Sequence, residues 1–600
     1  MPLSQRPVMH RTATPDSGRS PVDARFPSSR AVGRTAIVLV ALGMLSALNG
    51  CEKKNAHPSA TTSETNQSEW FEDITARSGI KFTHQADTNY FMPDQMGSGI
   101  ALLDYDNDGR SDIYLVQNAG SQGAANELWH QEANGTFREV GAEAGANLTG
   151  RGMGAFAGDF NNDGLPDLFV TEYGAVHLLQ NMGAGRFTQV TNSGLANPRW
   201  AVPASFIDFD RDGWLDLAIG NYLDYDPTQS CFDVAGRQDF CGPSAFGETI
   251  TRLWRNVTAA PGAPPRFEDR TEISGLSRTP GPALGLVCAD FTGDGWPDIF
   301  CADDGKPNRL FVNRTNGTFA DEGALRGVAF NAMGATAANM GVAVGDVDGD
   351  GLGDLFVSHL TEEFHSLWKQ DPAGMFADVI ASSGLQQQAW RGTGFGTVLA
   401  DFDHDGNSDL ALVNGLIRRA IPGQSPVLPG VHPWWARYAQ RPQLFVGRGG
   451  GRFVDRSSAN PSLCGMAFAG RSLAVGDLNN DGAPDLVTGG PGSPCRIYHN
   501  RAPARGHWLK LRLLLPRHGG RDAIGAEATV RAGNRKWWAT LQPASSYLSS
   551  HEPILHFGLG PSPEFDAIDV RWPDGSSARY PRGQADRLLV LRKGESTTGP

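Results

Sequence analysis

The chain has 600 residues, 40% of them hydrophobic and 20% charged, a balance that excludes wholesale disorder. Its 52 Lys and Arg against 65 Asp and Glu give a formal charge of −13. That excludes broad nucleic-acid binding, which depends on clustered positive charge, while 74 glycines with no collagen triplet point to many tight turns between short strands.

The first element in chain order is an export signal. RTAIVLVALGMLSALNGC, from Arg34 to Cys51, sets a basic residue before an apolar run of 13 residues, Ala36 to Leu48. This is short of the ~20 residues that cross a bilayer as a helix. Leu48-Asn49-Gly50-Cys51 resembles a bacterial lipobox. The resemblance implies that residues 1–50 are a lipoprotein signal peptide and that Cys51 carries the lipid holding the protein at the cell envelope. Removing residues 1–50 leaves a charge of −17. Residues 51–69 are polar, as in a flexible tether.

Next comes a repeat. The pattern D-x-[DNT]-x-D-G-x-x-D, flanked by apolar segments, occurs seven times, at spacings of 55, 49, 82, 56, 55 and 76 residues. Positions 1, 3, 5 and 9 are Asp104, Asp106, Asp108 and Asp112 in repeat 1, and Asp159, Asn161, Asp163 and Asp167 in repeat 2. Repeat 3 has Asp208, Asp210, Asp212 and Asp216, and repeat 4 has Asp290, Thr292, Asp294 and Asp298. Repeat 5 has Asp346, Asp348, Asp350 and Asp354, repeat 6 has Asp401, Asp403, Asp405 and Asp409, and repeat 7 has Asp477, Asn479, Asp481 and Asp485. A second marker keeps the same phase, a phenylalanine after a turn: Phe71, Phe137, Phe187, Phe267, Phe319, Phe376 and Phe453. Each unit reads as four short strands, and one such sheet cannot bury both faces alone. The count of seven therefore predicts an all-β fold in which residues 70–500 form a seven-bladed β-propeller.

The acidic loops predict Ca²⁺. Hard cations take six to eight oxygens, and carboxylates at these positions with a backbone carbonyl at position 7 nearly enclose one; glycine at position 6 allows the sharp turn. The segments after the loops read as strands, which excludes an EF-hand. Without counter-ions the 25 loop carboxylates repel one another. About seven structural Ca²⁺ ions would take the mature chain from −17 to −3. The repeats resemble the FG-GAP/VCBS repeats of integrin α-chain propellers, and that resemblance implies that the ions brace strand connections at one rim.

After Asn500 the repeat stops. Candidate strands lie around 508–515, 528–532, 537–541, 554–557, 567–572 and 587–591, so 501–595 reads as a small β-sandwich-like domain. HWLKLRL, AIGAEATV, SSYLSS, LHFGLG and VRWPDG resemble the ASPIC/UnbV module. A propeller followed by this module is similar in layout to the bacterial cartilage acidic protein 1-like family, which implies an extracellular interaction role and no defined reaction. Tyr547 and Leu548 are expected to fill a core while the neighbouring serines satisfy turns, and no nucleophile elbow appears.

Six cysteines remain beyond Cys51, an even number that favours disulfides in an exported protein: Cys231 with Cys241, Cys288 with Cys301, and Cys464 with Cys495 by proximity. Buried free thiols are the alternative. Two insertions, 224–249 and 415–441, are expected as surface loops that carry recognition, with Trp434 and Trp435 as candidate ligand contacts or packing groups. The sequence thus predicts a calcium-binding, lipid-anchored interaction module for a protein or glycan at the cell envelope, with no catalytic residues. Its alternatives are a carbohydrate-active enzyme using the propeller as scaffold and a calcium-responsive adhesion protein.

Overall fold

The computed structural model describes residues 68–419, 427–503 and 505–595. The expected export signal and Cys51 lie outside the described residues. No helix among the described residues is long and apolar enough to cross a membrane.

The two sequence markers turn out to be strand starts. The aspartate at position 9 opens the second strand of every repeat, from Asp112–Leu115 to Asp485–Gly489. The phenylalanine opens every fourth strand, as in Phe137–Glu139 and Phe453–Asp455. Seven antiparallel sheets of at least four strands follow. The last repeat supplies only three, and Phe71–Asp73 pairs with Arg496–Asn500 to complete it. First and last repeats therefore share one sheet. They also share a buried cluster in which Ile100, Leu102 and Ile113 meet Ala474, Val487 and Ile497. Each inner strand packs on the next in chain order, and Ser472–Gly476 packs on Ile100–Leu103.

Position 9 explains why so many carboxylates can be buried. Asp112 accepts backbone N–H bonds from Tyr105 at 3.3 Å and Gln131 at 2.7 Å. Asp167, Asp216, Asp298, Asp354, Asp409 and Asp485 each make the same pair of bonds to the loop and the third strand. This residue is thus a backbone staple as well as a candidate ligand. The third strand then ties neighbouring sheets together: the amides of Asn181, Asn256, Asn313 and Asn500 donate to the Tyr105, Phe160, Phe209 and Phe402 carbonyls of the preceding repeat. Gln131 does so across the junction of first and last repeats, to Leu478 at 2.6 Å.

The C-terminal residues form two further sheets. One contains His507–Leu515 and Leu555–Gly560, and the other contains Arg535–Thr540, Glu527–Ala532, Glu564–Arg571 and Ser577–Gln584. Leu509, Leu511, Leu513, Val530, Ile568 and Trp572 are buried between them. The sequence reading missed Ser577–Gln584, whose charges and proline conceal the strand.

Two expectations about the cysteines need correction. Cys231 and Cys241 are bridged and pin the first insertion. Cys288, Cys301, Cys464 and Cys495 are free and buried. In the antiparallel register Cys288 faces Ile299 and Cys301 faces Leu286, so the two sulfurs are not partners. Cys464 and Cys495 belong to different buried clusters. Burial pushes all four thiols up, Cys301 to about 12, so they remain unreactive. Alkylation of unreduced, unfolded protein is therefore expected to label these four; mass spectrometry finding any of them blocked would contradict the fold.

Candidate functional site: the acidic rim and its cover

The acidic loops follow inner strands and lie at one rim. The insertions join second to third strands, and antiparallel geometry places them at the other. There they meet each other: Tyr438 donates to Asp239 at 2.9 Å, the Arg419 backbone N–H reaches Asp239 at 3.0 Å, and Phe240 stacks on Trp435 at 6.1 Å. They are not independent recognition loops. Trp435 is fully buried, so its candidate role as a ligand contact is withdrawn. Trp434 is half-buried and packs on Tyr90 and Tyr438 at 5.3 Å each.

At the acidic rim, carboxylate oxygens within 4.8 Å of one another come from Asp208, Asp210 and Asp216, from Asp346, Asp348 and Asp354, and from Asp401, Asp403 and Asp409. Positions 1, 3 and 9 thus converge in repeats 3, 5 and 6. In repeat 1 the groups are Asp104, Asp106 and Asp108, and Asp106, Asp112 and His130. Position 5 stands apart from the three-carboxylate groups of repeats 3, 5 and 6, and Asp212, Asp350 and Asp405, like Asp108 in repeat 1, accept the N–H two residues on at 2.8 to 3.0 Å. Asn161, Thr292 and Asn479 hold position 3 in repeats 2, 4 and 7, which therefore offer one carboxylate fewer.

The fit to a cation rests on unfilled acceptors. Asp208 Oδ1 and Asp210 Oδ1 are buried without any donor. Burial pushes Asp208 up to about 7, and Asp112 and Asp354 up to about 8, with neighbouring loop carboxylates adding to the rise. Such groups call for a positive partner, and a hard divalent ion suits an all-oxygen set.

His130 escaped the sequence reading. Its Nδ1 lies 3.2 Å from Asp112 and 3.6 Å from Asp106. The signal was a phase relation: the same third-strand position carries Arg255, which reaches Asp210 and Asp212 at 2.6 and 2.8 Å, and Lys369, which pairs with Asp348.

The C-terminal module covers this rim and supplies more cations. Arg571 meets Asp290 at 2.7 Å, and Arg521 bonds Asn162 at 2.8 Å and the Gly213 carbonyl at 3.2 Å. Lys536 donates to the Asp350 carbonyl, Arg535 to the Gly406 carbonyl at 2.6 Å, and Lys510 to Asp477 at 2.9 Å. Burial opposes the charge on Lys510, but Glu552 and Asp477 outweigh it and hold its pKa above the usual lysine value.

From the module, residues 541–554 descend into the channel between the inner strands. Ser549 and Ser550 pair in parallel with Ile100 and Ala101. Leu548 and Ser550 accept from Ala155 and Ala157, and Gln542 donates to Phe206 and Cys288 at 3.3 and 2.9 Å. Ser546 bridges to Val342, accepts from Thr397 at 2.9 Å and donates to Leu473 at 2.9 Å. One segment thereby bonds to the inner strand of every repeat. Ser546 and Leu548 sit in the left-handed region, with φ of 69° and 57°, held there by these bonds. Tyr547 and Leu548 are buried as expected. The Ser546 and Ser550 hydroxyls satisfy propeller backbone, while the Ser549 hydroxyl donates to the Tyr547 carbonyl at 3.0 Å, within its own turn as expected.

Family models match both parts of the chain. The family model described as ASPIC and UnbV matches residues 517–598. An FG-GAP-like repeat matches 104–170, 159–219 and 290–357, and an FG-GAP repeat matches 469–502. Cartilage acidic protein 1 of Xenopus tropicalis is 25% identical over 515 residues, spanning 80% of this chain and 71% of its own. The Homo sapiens protein is 24% identical over 540 residues, spanning 83% and 72%. A solved structure of BBS1N in complex with ARL6DN gives a TM-score of 0.39 at 8% identity, over 73% of this chain and 99% of that one. The chain is an FG-GAP repeat protein with a C-terminal ASPIC/UnbV domain, homologous to cartilage acidic protein 1.

Proposed function

We infer that this protein is an exported, lipid-anchored, calcium-binding interaction module of the cell envelope, with protein or glycan partners. The observation that carries the reading is the convergence of three carboxylates in the same loop positions of repeats 3, 5 and 6, with buried oxygens left unfilled in repeat 3. Calcium would supply neutralising charge there. Asp208, Asp210 and Asp216, Asp346, Asp348 and Asp354, and Asp401, Asp403 and Asp409 would hold it, with repeat 1 using Asp104, Asp106 and Asp108. The protein's own contribution is rigidity: staples at position 9, ties between sheets and a segment bonded to all seven inner strands leave a surface that pays little ordering entropy on binding. Homology to cartilage acidic protein 1 supports an interaction role over catalysis.

Elemental analysis of the purified chain tests the metal. Replacing Asp401 and Asp403 together by Asn, which spares the Asp409 staple, is expected to lower bound calcium by about one ion while circular dichroism stays unchanged. Wild-type protein that retains no calcium after dialysis against micromolar free ion would reject the reading.

A further inference from the structure

Between the module and the acidic rim of repeats 5, 6 and 7 lies a cavity of about 750 Å³, within the ~300–1,000 Å³ span of small-molecule sites. Asp346, Asp401 and Asp477 line its floor, and the edge strand Arg535–Thr540 with residues 551–558 lines its roof. We propose that this cavity binds a short neutral oligosaccharide, of about two or three sugar rings.

Most of the lining charges already have partners. Lys510 holds Asp477 and Glu552 at 2.9 and 3.8 Å, Lys369 pairs with Asp348, and Arg531 pairs with Asp569 at 2.8 Å. Arg535 donates to the Asp405 and Gly406 carbonyls at 3.1 and 2.6 Å. Asp346 and Asp401 on the floor belong to the loops proposed to hold calcium, which leaves a neutral ligand as the fit.

What stays open is hydrogen-bond acceptors. His556 Nε2 lies 2.7 Å from the Gly482 carbonyl and must carry the proton, which leaves Nδ1 a bare acceptor, buried and unpartnered. Gln542 turns its amide nitrogen to two carbonyls, and its Oε1 is also buried without a partner in a residue only 8% exposed. His551 Nδ1 accepts the Val475 N–H at 3.2 Å, so its Nε2–H is a donor. Both histidines and Gln542 line the cavity, beside the half-buried Trp537 and Trp538. Two orphaned acceptors suit a ligand that donates O–H, and indole surface suits the C–H face of a sugar ring. A sugar hydroxyl can donate to Gln542 or His556 and accept from His551.

The proposal rests on the interaction reading and shares Asp346 and Asp401 with the calcium loops, so the sugars are titrated with calcium present and bound metal is measured separately. Cellotriose, maltotriose and chitotriose are to be titrated into the full chain, with saturation-transfer NMR and calorimetry as readouts. One of them is expected to bind. Gln542→Leu and Trp538→Ala are each expected to weaken it by about tenfold, with melting temperature reported for both. No saturation transfer from any of the three at millimolar concentration would overturn the proposal and leave the cavity to water. Binding that both variants leave unchanged would overturn it too. If one variant fails to fold, the other decides.

Discussion

Chelating calcium from the full chain is expected to lower its melting temperature by on the order of 10 °C, because each ion at a hundred times its dissociation constant contributes about 2.7 kcal/mol and several sites add. The effect should depend on pH, with a sign set by the rim carboxylates. In the metal-free fold burial holds Asp159 and Asp346 near 6, Asp208 near 7 and Asp112 and Asp354 near 8, all above their unfolded value near 4. Groups raised in this way contribute stability below the unfolded pKa and lose it as pH rises through the folded one. Metal-free protein should therefore be less stable at pH 8 than at pH 5, and chelation should cost more at pH 8. Scanning calorimetry with and without chelator at both pH values checks this. A melting temperature moved by less than about 1 °C at pH 8 would refute the claim that these loops are held by a cation.

Truncating Tyr547 is expected to be the most damaging single substitution in the C-terminal module. The ring is 1% exposed and meets Phe395 edge-to-face at 5.0 Å, so Tyr547→Ala should cost about 3–5 kcal/mol. Ser546→Ala removes the partner of the Thr397 N–H and of the Leu473 carbonyl, at about 1–3 kcal/mol for each buried group stranded. Both changes lie in the C-terminal module, yet the loss should register in the repeats. Hydrogen exchange is expected to quicken in Val342–Gly345, Gly394–Ala400 and Ser472–Gly476, the strands that Ser546 joins. Loosening confined to residues 507–592 would show that the inserted segment is a passenger.

Much of the architecture was legible because the repeats are local statements made many times. An aspartate at position 9 and a phenylalanine after a tight turn mark every unit, and the structure shows both to be strand starts. The same two signals recur in phase from Phe71 to Phe453. Phe71 was legible as a marker standing before the first acidic loop, and the fold showed that its strand completes the last sheet.

The departures share a physical cause. SSYLSS carries no periodicity and no unusual residue, so its bonds to five inner strands, like those of Gln542 to the other two, depend on contacts far along the chain. His130 lies between strand residues with ordinary patterning, and only the folding of the third strand against the loop turns Nδ1 toward Asp106 and Asp112. Proximity along the chain suggested Cys288 with Cys301, but strand register decides sulfur partners and set them opposite Ile299 and Leu286.

The amino-acid sequence by itself determined the repeat number and the loops in which acid accumulates, since each follows from residue order within a single unit. Tertiary structure alone decided that the channel is filled from the C-terminal module, that the two insertions meet across the opposite rim, and that a polar cavity survives beneath the cover. Those outcomes come from packing between distant segments, where side-chain shape and unsatisfied backbone groups select the partner and chain order carries no record of it.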